Sequence, residues 1–451
     1  MKDPKKEMNR REFLRRLGFG TASAMAMMAM EPLEVFSRDK ETSQKPADIR
    51  MTYRVQHGSG EQISLLGFGM MRLPDSQEEV NQLVDFAINH GVNYFDTSPM
   101  YKGGRNETQT GEALKRHPRD KWFVATKMSN YDQRYWTIDG AKSMYENSFK
   151  ALQVDHIDYY LMHGIGQNGM KDFNPRFINN GLLDFLLKER DAGRIRHLGF
   201  SYHGNVEVFD WLLDHNDKYH WDFAQIQMNY VDWRHASLKR GWNKDADAEY
   251  LYNKLDKLGI QCVIMEPLRG GALGRLPDEL SNQLKAVRPD DSMARWAFRW
   301  VGSRPNVLTT LSGMNNTDHL KENVLTFSPL ETCTEAENML LANIADQMAG
   351  FPTIPCTTCR YCMPCPYGVD IPGNFAYYNE AVHNHILPLP EKDAADYKER
   401  LQAFNDGLIK ALPDEKTWAH SCMDCEECLS KCPQQIRIPN QLARIVETLR
   451  G

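Results

Sequence analysis

Residues 65–96 read LLGFGMMRLPDSQEEVNQLVDFAINHGVNYFD, in which two short apolar segments enclose a longer amphipathic one. The outer segments, LLGFGMM (65–71) and VNYFD (92–96), have the length and composition of buried strands. The middle segment carries apolar residues at helical spacing, namely Val80, Leu83, Val84, Ala87 and Ile88. This order predicts a parallel βαβ unit, because parallel neighbouring strands need a crossover connection.

The same alternation continues to about residue 330. The further apolar segments are WFVATK (122–127), HIDYYLMH (156–163), IRHLGFS (195–201), DFAQIQM (222–228), QCVIME (261–266) and NVLTTLSG (306–313). Amphipathic segments separate them, as with Ile178, Leu182, Leu183, Leu186 and Leu187. Eight units in roughly 280 residues match the usual size of a closed barrel. The predicted fold class is therefore α/β, a (β/α)8 TIM barrel over residues 50–330.

An open doubly wound sheet is the competing architecture. Its dinucleotide-binding form carries a Gly-x-Gly-x-x-Gly turn after a strand, and GFGMM at 67–71 lacks this pattern. Ahead of the first barrel strand, residues 51–56 and 62–66 flank Gly58-Ser59-Gly60. This arrangement predicts an N-terminal β-hairpin that closes the barrel bottom.

Composition narrows the class of protein. Hydrophobic residues make up 41% of the 451 residues and charged residues 25%, as in globular proteins with a substantial core. The formal net charge of -6 gives no indication of nucleic-acid binding. After residue 36, no stretch is apolar enough to span a bilayer.

Polar side chains stand at the ends of several predicted strands. Asp96 closes VNYFD, Lys127 closes WFVATK and His163 closes HIDYYLMH, while Tyr101 follows Asp96 by five residues. Singly, each has an ordinary structural explanation, such as a turn cap or a buried histidine. In a barrel of parallel strands, catalytic groups lie at the C-terminal strand ends. Together the four side chains predict an active site there.

This constellation resembles the Asp, Tyr, Lys and His tetrad of the aldo/keto reductase family. Further strings support the resemblance in the family's order over most of residues 50–330. They are FDTSPMY (95–101), GRNETQTGEALK (104–115), FVATKM (123–128), DYYLMHG (158–164), GRIRHLGFS (193–201), AQIQMNY (224–230), EPLRGG (266–271) and LSGMNNTDHLKENV (311–324).

The resemblance implies an oxidoreductase that reduces a carbonyl, or oxidises an alcohol, with a nicotinamide cofactor. Hydride transfer to a carbonyl leaves negative charge on oxygen, which a proton donor must meet. Tyr101 would be that donor, and the ammonium of Lys127 would lower the pKa of the phenol. Asp96 would be the carboxylate partner of Lys127, and His163 would orient the substrate oxygen.

The resemblance also implies a nucleotide site. Its carboxamide contacts would be Ser201 and Gln225, its adenine contacts Glu322 and Asn323, and the pyrophosphate would lie under the loop that contains Pro267 and Leu268, with Gly313 nearby. Substrate loops are predicted at 164–175 and 232–245, with Trp233 and Trp242 as pocket walls.

Some positions depart from the family pattern. Met265 stands where many members have an aromatic that stacks on nicotinamide, and Tyr202 stands in place of a frequent Asn. Gly313 and His319 occupy positions where better-known members place Lys and Arg against a 2′-phosphate. The choice between NADP and NAD therefore stays open.

Eight of the ten cysteines fall in two tight runs, CTTCRYCMPCP (356–366) and CMDCEECLSKCP (422–433). The second is the Cys-x2-Cys-x2-Cys-x3-Cys-Pro run of bacterial 4Fe–4S ferredoxins, and the first is one residue shorter. In two-cluster ferredoxins the fourth cysteine of each run binds the other cluster. The resemblance thus implies one cluster on Cys356, Cys359, Cys362 and Cys432, and a second on Cys422, Cys425, Cys428 and Cys365.

Disulfides and zinc are the alternatives for these cysteines. Cysteines at every third residue make poor disulfides, and zinc seldom takes four in a row ending in Cys-Pro. Cys262 and Cys333 are predicted to be plain buried or linker residues. Residues 331–451 are therefore predicted to form a mostly helical, ferredoxin-like 4Fe–4S domain.

The N-terminal 36 residues read as a targeting segment. Asn9-Arg10-Arg11-Glu12-Phe13-Leu14-Arg15 precedes a weakly apolar run from 17 to 30 and resembles a twin-arginine export signal. The resemblance implies export, with a periplasmic location, and residues 37–49 read as a linker. Membrane contact is expected only through this signal.

The leading hypothesis is nicotinamide-dependent carbonyl–alcohol oxidoreduction on a small molecule. A hydride carries two electrons and a cluster accepts one, so the clusters are either structural or connected to an external redox protein. An iron–sulfur electron-transfer protein with a catalytically silent barrel is the main alternative. A lyase or hydrolase acting on sugars is a third, and it would need no nicotinamide.

Overall fold

A computed structural model of the chain describes residues 50–236, 246–388 and 395–451. The predicted export signal (1–36) and linker (37–49) lie outside the described residues, so both stay predictions. Within the described ranges, no helix is long and apolar enough to cross a membrane. From Met51 onward the chain forms one compact unit.

The predicted barrel is confirmed. The strands are β1 Tyr53–Val55, β2 Gln62–Ser64, β3 Leu66–Gly69, β4 Tyr94–Asp96, β5 Phe123–Met128, β6 Ile157–Ile165, β7 Ile195–Tyr202, β8 Phe223–Gln227, β9 Gln261–Met265 and β10 Val307–Ser312. Strands β3 to β10 close into a barrel in the order β10–β3–β4–β5–β6–β7–β8–β9. Every neighbouring pair is parallel. Each predicted apolar segment overlaps one barrel strand.

Helices follow the barrel strands and continue beyond them. In the described residues they are α1 Gln77–Asn89, α2 Asn106–Leu114, α3 Ile138–Leu152, α4 Met170–Phe173, α5 Leu182–Asp191, α6 Val206–Asp214, α7 Asn216–Tyr219, α8 Asp232–His235, α9 Ala248–Lys257, α10 Asp278–Val287, α11 Met293–Gly302, α12 Thr317–Thr326, α13 Glu335–Ala349, α14 Ile371–His383, α15 Tyr397–Ala411 and α16 Ile438–Arg450.

Side chains cap several of these helices. At the start of α1, Ser76 accepts a hydrogen bond from the backbone nitrogen of Glu79. At the start of α3, Thr137 accepts one from Gly140. Such caps satisfy backbone donors that the first helical turn leaves without partners. Of the apolar positions that predicted α1, Val80, Leu83, Val84 and Ala87 are buried in the core that includes the barrel strands, and Ile88 packs against this core partly buried.

The predicted hairpin closes the bottom of the barrel. Strands β1 and β2 pair antiparallel, and Ile63 of β2 is fully buried among the side chains inside the barrel. Gln261, the first residue of β9, holds the hairpin. Its amide nitrogen donates to the carbonyl of Val55 at 3.0 Å, and its amide oxygen accepts from the nitrogen of His57 at 2.9 Å.

Alternate side chains of the strands form layers inside the barrel. The apolar layer consists of Ile63, Tyr94, Ala125, Tyr159, Leu161, Phe223, Val263, Leu308 and Leu311. Because successive strand residues point to opposite faces, a residue two positions further along points inward again. This spacing separates Tyr94 from Asp96, Ala125 from Lys127, and Leu161 from His163. The three predicted catalytic side chains therefore form the next layer towards the C-terminal mouth.

The predicted helical C-terminal domain is confirmed. Helices α14, α15 and α16 enclose a second apolar core, with Phe375, Tyr378, Phe404, Leu408 and Leu442 among its members. The two cysteine runs lie in irregular segments, one before α14 and one before α16. We refer to this region as the cysteine domain.

Helix α13 belongs to the core of the barrel and not to that of the cysteine domain. Leu341 and Ile344 are fully buried in the barrel core. Arg299 of α11, also fully buried, donates to Glu337 of α13 at 2.9 Å. The second core starts at Ile354, so the packing separates the two regions after α13, later than the predicted boundary at residue 331.

Candidate active site

A buried ion pair joins β4 and β5 at the mouth of the barrel. Lys127 Nζ lies 2.5 Å from Asp96 Oδ1 and donates to the carbonyl of Thr97 at 2.7 Å. Gln225 Nε2 donates to the other carboxylate oxygen of Asp96 at 3.1 Å. Burial lowers the pKa of Lys127, and the attraction of Asp96 opposes this shift. A buried ammonium is tolerated here because a carboxylate stands beside it.

Tyr101 lies next to this pair. It begins the short turn after β4, is 8% exposed, and has its ring centre 5.0 Å from Lys127 Nζ. Burial raises the pKa of Tyr101 well above its ordinary value, and Tyr361, Asp96 and Tyr131 add to the shift. The structure brings the predicted proton donor and the lysine together. Burial is the largest contribution to the pKa of Tyr101, so the net shift is upward although Lys127 lies beside the ring.

His163 borders the same space. Its Nδ1 is 2.6 Å from Ser129 Oγ, which is 2.8 Å from Ser98 Oγ. Its ring centre lies 6.3 Å from that of Tyr101, edge to face. Burial lowers the pKa of His163 well below its ordinary value, and the charge of Lys127 lowers it further, so the imidazole is neutral. If Nδ1 accepts from Ser129, the neutral ring carries its proton on Nε2, the tautomer in which Nε2 can donate to a substrate oxygen.

Sequence reasoning missed the side chains that hold His163. Arg176, 3% exposed, donates to the carbonyl of His163 at 2.7 Å and to Asn130 Oδ1 at 3.0 Å. Ser129 could have been found, because it stands two positions after Lys127 and so points inward by strand alternation. Arg176 carries no such signal, since it lies in the short π-helix Asn174–Ile178.

Several predicted nucleotide contacts are already engaged within the protein. Ser201 Oγ accepts from the backbone nitrogen of Gly164 at 3.0 Å, and Asn323 Nδ2 donates to Ser312 Oγ at 2.9 Å. The amide of Gln225 donates to the catalytic carboxylate, as described above.

The other predicted nucleotide contacts lie at the ends of β9 and β10. Pro267 is buried and Leu268 is half-buried in the loop after β9, while Glu322 is half-buried on α12. Gly313 directly follows β10, and a Cβ at Gly313 would stand 3.3 Å from Arg72 Cδ. These residues therefore share one side of the barrel mouth.

The first cysteine run lies on this same side. The carbonyl of Thr357 accepts from Arg72 Nη2, in the turn after β3, at 2.8 Å. A Cβ added to Gly270, in the loop after β9, would stand 2.5 Å from Thr357 Cα, so the two backbones are in direct contact. In the barrel order, β10 lies between β9 and β3. Thr357 therefore spans the C-terminal end of β10.

Other contacts bring the cysteine domain to the centre and the far side of the mouth. Tyr361, in the first run, lies close enough to Tyr101 for each tyrosine to shift the pKa of the other. Gln434, after the second run, donates to Gln227 Oε1 at the end of β8 at 3.0 Å. The cysteine domain thus caps the mouth above the tetrad. The spacing of the cysteines in the sequence could not have predicted that the cysteine domain rests on the barrel mouth.

The first group of thiols draws on both runs. Burial raises the pKa of Cys356 to about 12, and the neighbouring thiols of Cys359 and Cys432 add to the shift. Burial also raises the pKa of Cys362, and the thiols of Cys356, Cys359 and Cys432 add to this shift. The structure therefore brings together the four cysteines that the ferredoxin resemblance implies for one cluster.

The second group also draws on both runs. Burial raises the pKa of Cys428 to about 11, and Cys422, Cys425 and Cys365 add to the shift. All four line one hollow of the cysteine domain, whose walls include the apolar side chain of Leu442. The arrangement matches the second set that the resemblance implies.

The disulfide and zinc alternatives fit this geometry less well. All ten cysteines lie in the described residues, and no disulfide joins any of them. Among the described residues, no three His, Cys, Asp or Glu side chains are arranged to hold one metal ion. A 4Fe–4S cluster binds each thiolate on a different iron, so its sulfur ligands stand further apart than those of one zinc ion. Cys262, buried in β9, and the half-buried Cys333 belong to neither group.

A family model described as the aldo/keto reductase family matches residues 65–334, the barrel that carries the tetrad. The chain belongs to the aldo/keto reductase family. It is accordingly an oxidoreductase. A second model, described as a 4Fe–4S dicluster domain, matches residues 355–437, which contain both cysteine runs. The two matches cover the barrel and the cysteine domain separately.

Curated relatives match the barrel portion of the chain. An uncharacterized oxidoreductase, YqkF, of Bacillus subtilis is 25% identical over 58% of this chain and 86% of its own. L-galactose dehydrogenase of Arabidopsis thaliana is 23% identical over 63% of this chain and 90% of its own. Glyoxal reductase of Bacillus subtilis is 28% identical over 56% of this chain and 80% of its own.

A solved structure shows the same fold. The holo form of an aldo-keto reductase from Bacillus halodurans superposes with a TM-score of 0.53 and 23% identity, over 65% of this chain and 96% of that one. The shared portion is again about the size of the barrel, so the cysteine domain is an addition to the fold of this relative.

One predicted pocket wall lies away from the tetrad. Trp233 packs against Tyr252 of α9 and Trp300 of α11, with ring centres 5.7 and 5.4 Å apart. Trp233 was predicted to contact substrate because it lies in a long polar loop. In the structure it packs instead against aromatic side chains of the outer helices. Trp242 lies outside the described residues.

Proposed function

We propose that this oxidoreductase interconverts a small-molecule carbonyl and its alcohol at Asp96, Tyr101, Lys127 and His163. The observation that carries the proposal is the buried Lys127–Asp96 pair, with Nζ 5.0 Å from the ring of Tyr101. The names of two relatives, L-galactose dehydrogenase and glyoxal reductase, describe chemistry of this kind.

Tyr101 is the group that moves a proton. In reduction its hydroxyl donates to the carbonyl oxygen as negative charge develops there, and in oxidation the phenolate accepts the proton. Lys127 stabilises the phenolate, and Asp96 keeps the lysine charged in a buried position. His163, neutral and held by Ser129, donates from Nε2 to the same substrate oxygen and fixes its direction.

A nicotinamide dinucleotide supplies hydride when it is bound, and residues of the chain itself already contact part of the place predicted for it. The amide of Gln225 donates to Asp96, and Thr357 stands over the end of β10. The roles of Tyr101 and Lys127 do not depend on which carrier delivers the electrons. The family resemblance predicts NADP or NAD and does not choose between them.

The two groups of thiols fit 4Fe–4S clusters, which exchange one electron at a time when bound. Cys356, Cys359, Cys362 and Cys432 would hold one cluster, and Cys422, Cys425, Cys428 and Cys365 the other. An external redox protein is the expected partner for such one-electron exchange.

Export by the twin-arginine route to the periplasm is part of the proposal. It is supported by the Arg10-Arg11 pair with Phe13 and Leu14. A translocation route for folded proteins suits a chain whose clusters are assembled before export.

The test uses the full chain, purified without oxygen and with its iron and sulfide content measured. Benzaldehyde reduction is followed with NADH, NADPH and reduced methyl viologen as separate donors, and benzyl alcohol oxidation with oxidised acceptors. Tyr101→Phe is expected to lower turnover at least about 100-fold, as for loss of a general acid. Tyr250→Phe, at a tyrosine 39% exposed on α9, serves as the matched control.

The covering of Tyr101 by Tyr361 favours one alternative, an electron-transfer protein whose barrel is silent. That alternative predicts no conversion of carbonyl or alcohol with any donor or acceptor. It also predicts that Tyr101→Phe leaves electron uptake by the cysteine domain unchanged.

A further inference from the structure

The cysteine domain contacts the barrel mouth at the ends of several strands. Thr357 touches the segments after β3 and β9, Tyr361 touches Tyr101 after β4, and Gln434 touches the end of β8. A domain held in this way covers the C-terminal mouth, where the predicted substrate and nucleotide sites lie.

These contacts are closely packed. Thr357 is 2% exposed and Gln434 is 3% exposed. Phe351, at the junction between the two regions, packs against both the barrel core and the core of the cysteine domain. Two hydrogen bonds cross the seam, from Gln434 to Gln227 and from Arg72 to the carbonyl of Thr357. Such burial and pairing are typical of a built interface.

The first cysteine run fills the place predicted for the nucleotide. That place is the end of β10 and the loop after β9, which contain Gly313, Pro267 and Leu268. Thr357 accepts from the guanidinium of Arg72, whose side chain lies over Gly313, and its backbone lies directly against Gly270. A pyrophosphate under this loop would compete with the Thr357 backbone for the same space.

The contacts at the tetrad agree with this. The hydroxyl group beside Tyr101 belongs to Tyr361 of the chain itself. Gln225, predicted to bind the nicotinamide carboxamide, uses its amide on Asp96. Tyr361 stands next to Cys362 in sequence, so the first group of thiols comes close to Tyr101 through one residue.

We propose that the first cysteine run takes the nucleotide's place on this barrel. The full chain then binds no nicotinamide dinucleotide there and receives electrons through the cysteine domain from a one-electron donor. The second half of this inference rests on the proposed carbonyl–alcohol function. The fitting donor is a reduced iron–sulfur or flavin protein.

The reaction balances with such a donor. Two equivalents of reduced donor supply two electrons to each carbonyl and are themselves oxidised. The C=O π bond breaks while one C–H and one O–H bond form. Tyr101 delivers the proton at oxygen and is reprotonated from solvent, and solvent supplies the second proton at carbon.

Titration of the cluster-loaded full chain with NADPH and with NADH tests the inference, with nucleotide fluorescence and cluster absorbance as readouts. A nicotinamide-dependent aldo/keto reductase in a parallel cuvette shows that the assay detects binding. We expect no saturable binding of either dinucleotide and no bleaching of the clusters by them, whereas reduced methyl viologen bleaches the clusters. Saturable binding of NADPH or NADH, with slower amide exchange in residues 313–323, would overturn the inference.

The two proposals fail in different ways. If a dinucleotide binds and drives a carbonyl reduction that Tyr101→Phe abolishes, the proposed function stands and the inference falls. If no donor drives conversion of a carbonyl or alcohol, the proposed function falls, while the titration still decides whether the nucleotide site is filled.

Discussion

Lys127 Nζ lies 2.5 Å from Asp96 Oδ1, and the two side chains are 0% and 3% exposed. Two buried charges at this distance offset much of each other's desolvation cost. The loss of one partner leaves the other charge buried alone. The pair therefore matters for stability as well as for the chemistry of Tyr101.

Lys127→Met is expected to lower the free energy of unfolding by about 3–5 kcal/mol, because Asp96 loses its partner. The double variant Lys127→Met/Asp96→Asn should lose less than this single variant, and urea unfolding measures both. Lys115→Met removes a lysine with a side chain 46% exposed and should change stability by less than about 0.5 kcal/mol. Equal losses in the single and double variants would show that the pair is not coupled.

Ser129→Ala is expected to lower the turnover number about tenfold, since it removes the 2.6 Å hydrogen bond that orients His163. Ser98→Ala is the matched control, because Ser98 Oγ is 3.5 Å from the same nitrogen. The pKa of His163 is lowered well below its ordinary value. The pH dependence of the turnover number in these two variants should therefore show no histidine titrating near neutral pH. A larger loss of turnover in Ser98→Ala than in Ser129→Ala would show that Ser98, and not Ser129, orients His163.

His197 makes stability depend on alkaline pH. Its Nε2 lies 2.7 Å from Glu61 Oε2. Burial lowers the pKa of His197, but the carboxylates of Asp222, 3.9 Å from Nδ1, and of Glu61, hydrogen-bonded to Nε2, outweigh burial and raise it from 6.5 to about 9. A group whose folded-state pKa is raised stabilises the protein fully below its unfolded pKa. This stability is lost as the pH rises from 6.5 through about 9.

Urea unfolding at several pH values should therefore show a loss on the order of 2–3 kcal/mol over this window. The loss should be absent in His197→Asn, which keeps the position polar and removes the titrating group. A wild-type stability that stays flat over the window would contradict the raised pKa.

Gly270→Ala should weaken the docking of the first cysteine run. The added Cβ would stand 2.5 Å from Thr357 Cα, at a φ of +68°. Gly271→Ala is the matched control, because its φ is +99° and no atom lies within 4 Å of the added Cβ. Backbone strain of about 1–2 kcal/mol is common to both. Thermal unfolding should show the larger loss in Gly270→Ala, and amide exchange near Thr357 should be faster there alone.

The barrel and most of the tetrad could be predicted because the relevant rules act locally. Strand periodicity located every barrel strand, and the two-residue alternation placed Lys127 and His163 inward at the mouth. Tyr101 lies in a turn, where periodicity gives no direction, and it was recognised through the family resemblance.

The docking of the cysteine domain could not be predicted. Cysteine spacing describes the geometry around a cluster and carries no information on the surface where the domain rests. Tyr361 therefore had no signal as a neighbour of Tyr101. For the same reason the sequence carried no signal for the upward shift in the pKa of Tyr101, because Tyr361, which adds to that shift, comes from the distant end of the chain.

Each group of thiols combines cysteines from both runs, so the chain from Cys356 to Cys432 forms a ring whose two ends are tied at the clusters. Helices α14 and α15 lie within this ring. Without iron both ties would be unmade at once, and the segment between the two runs would then be held by the apolar core of the cysteine domain alone.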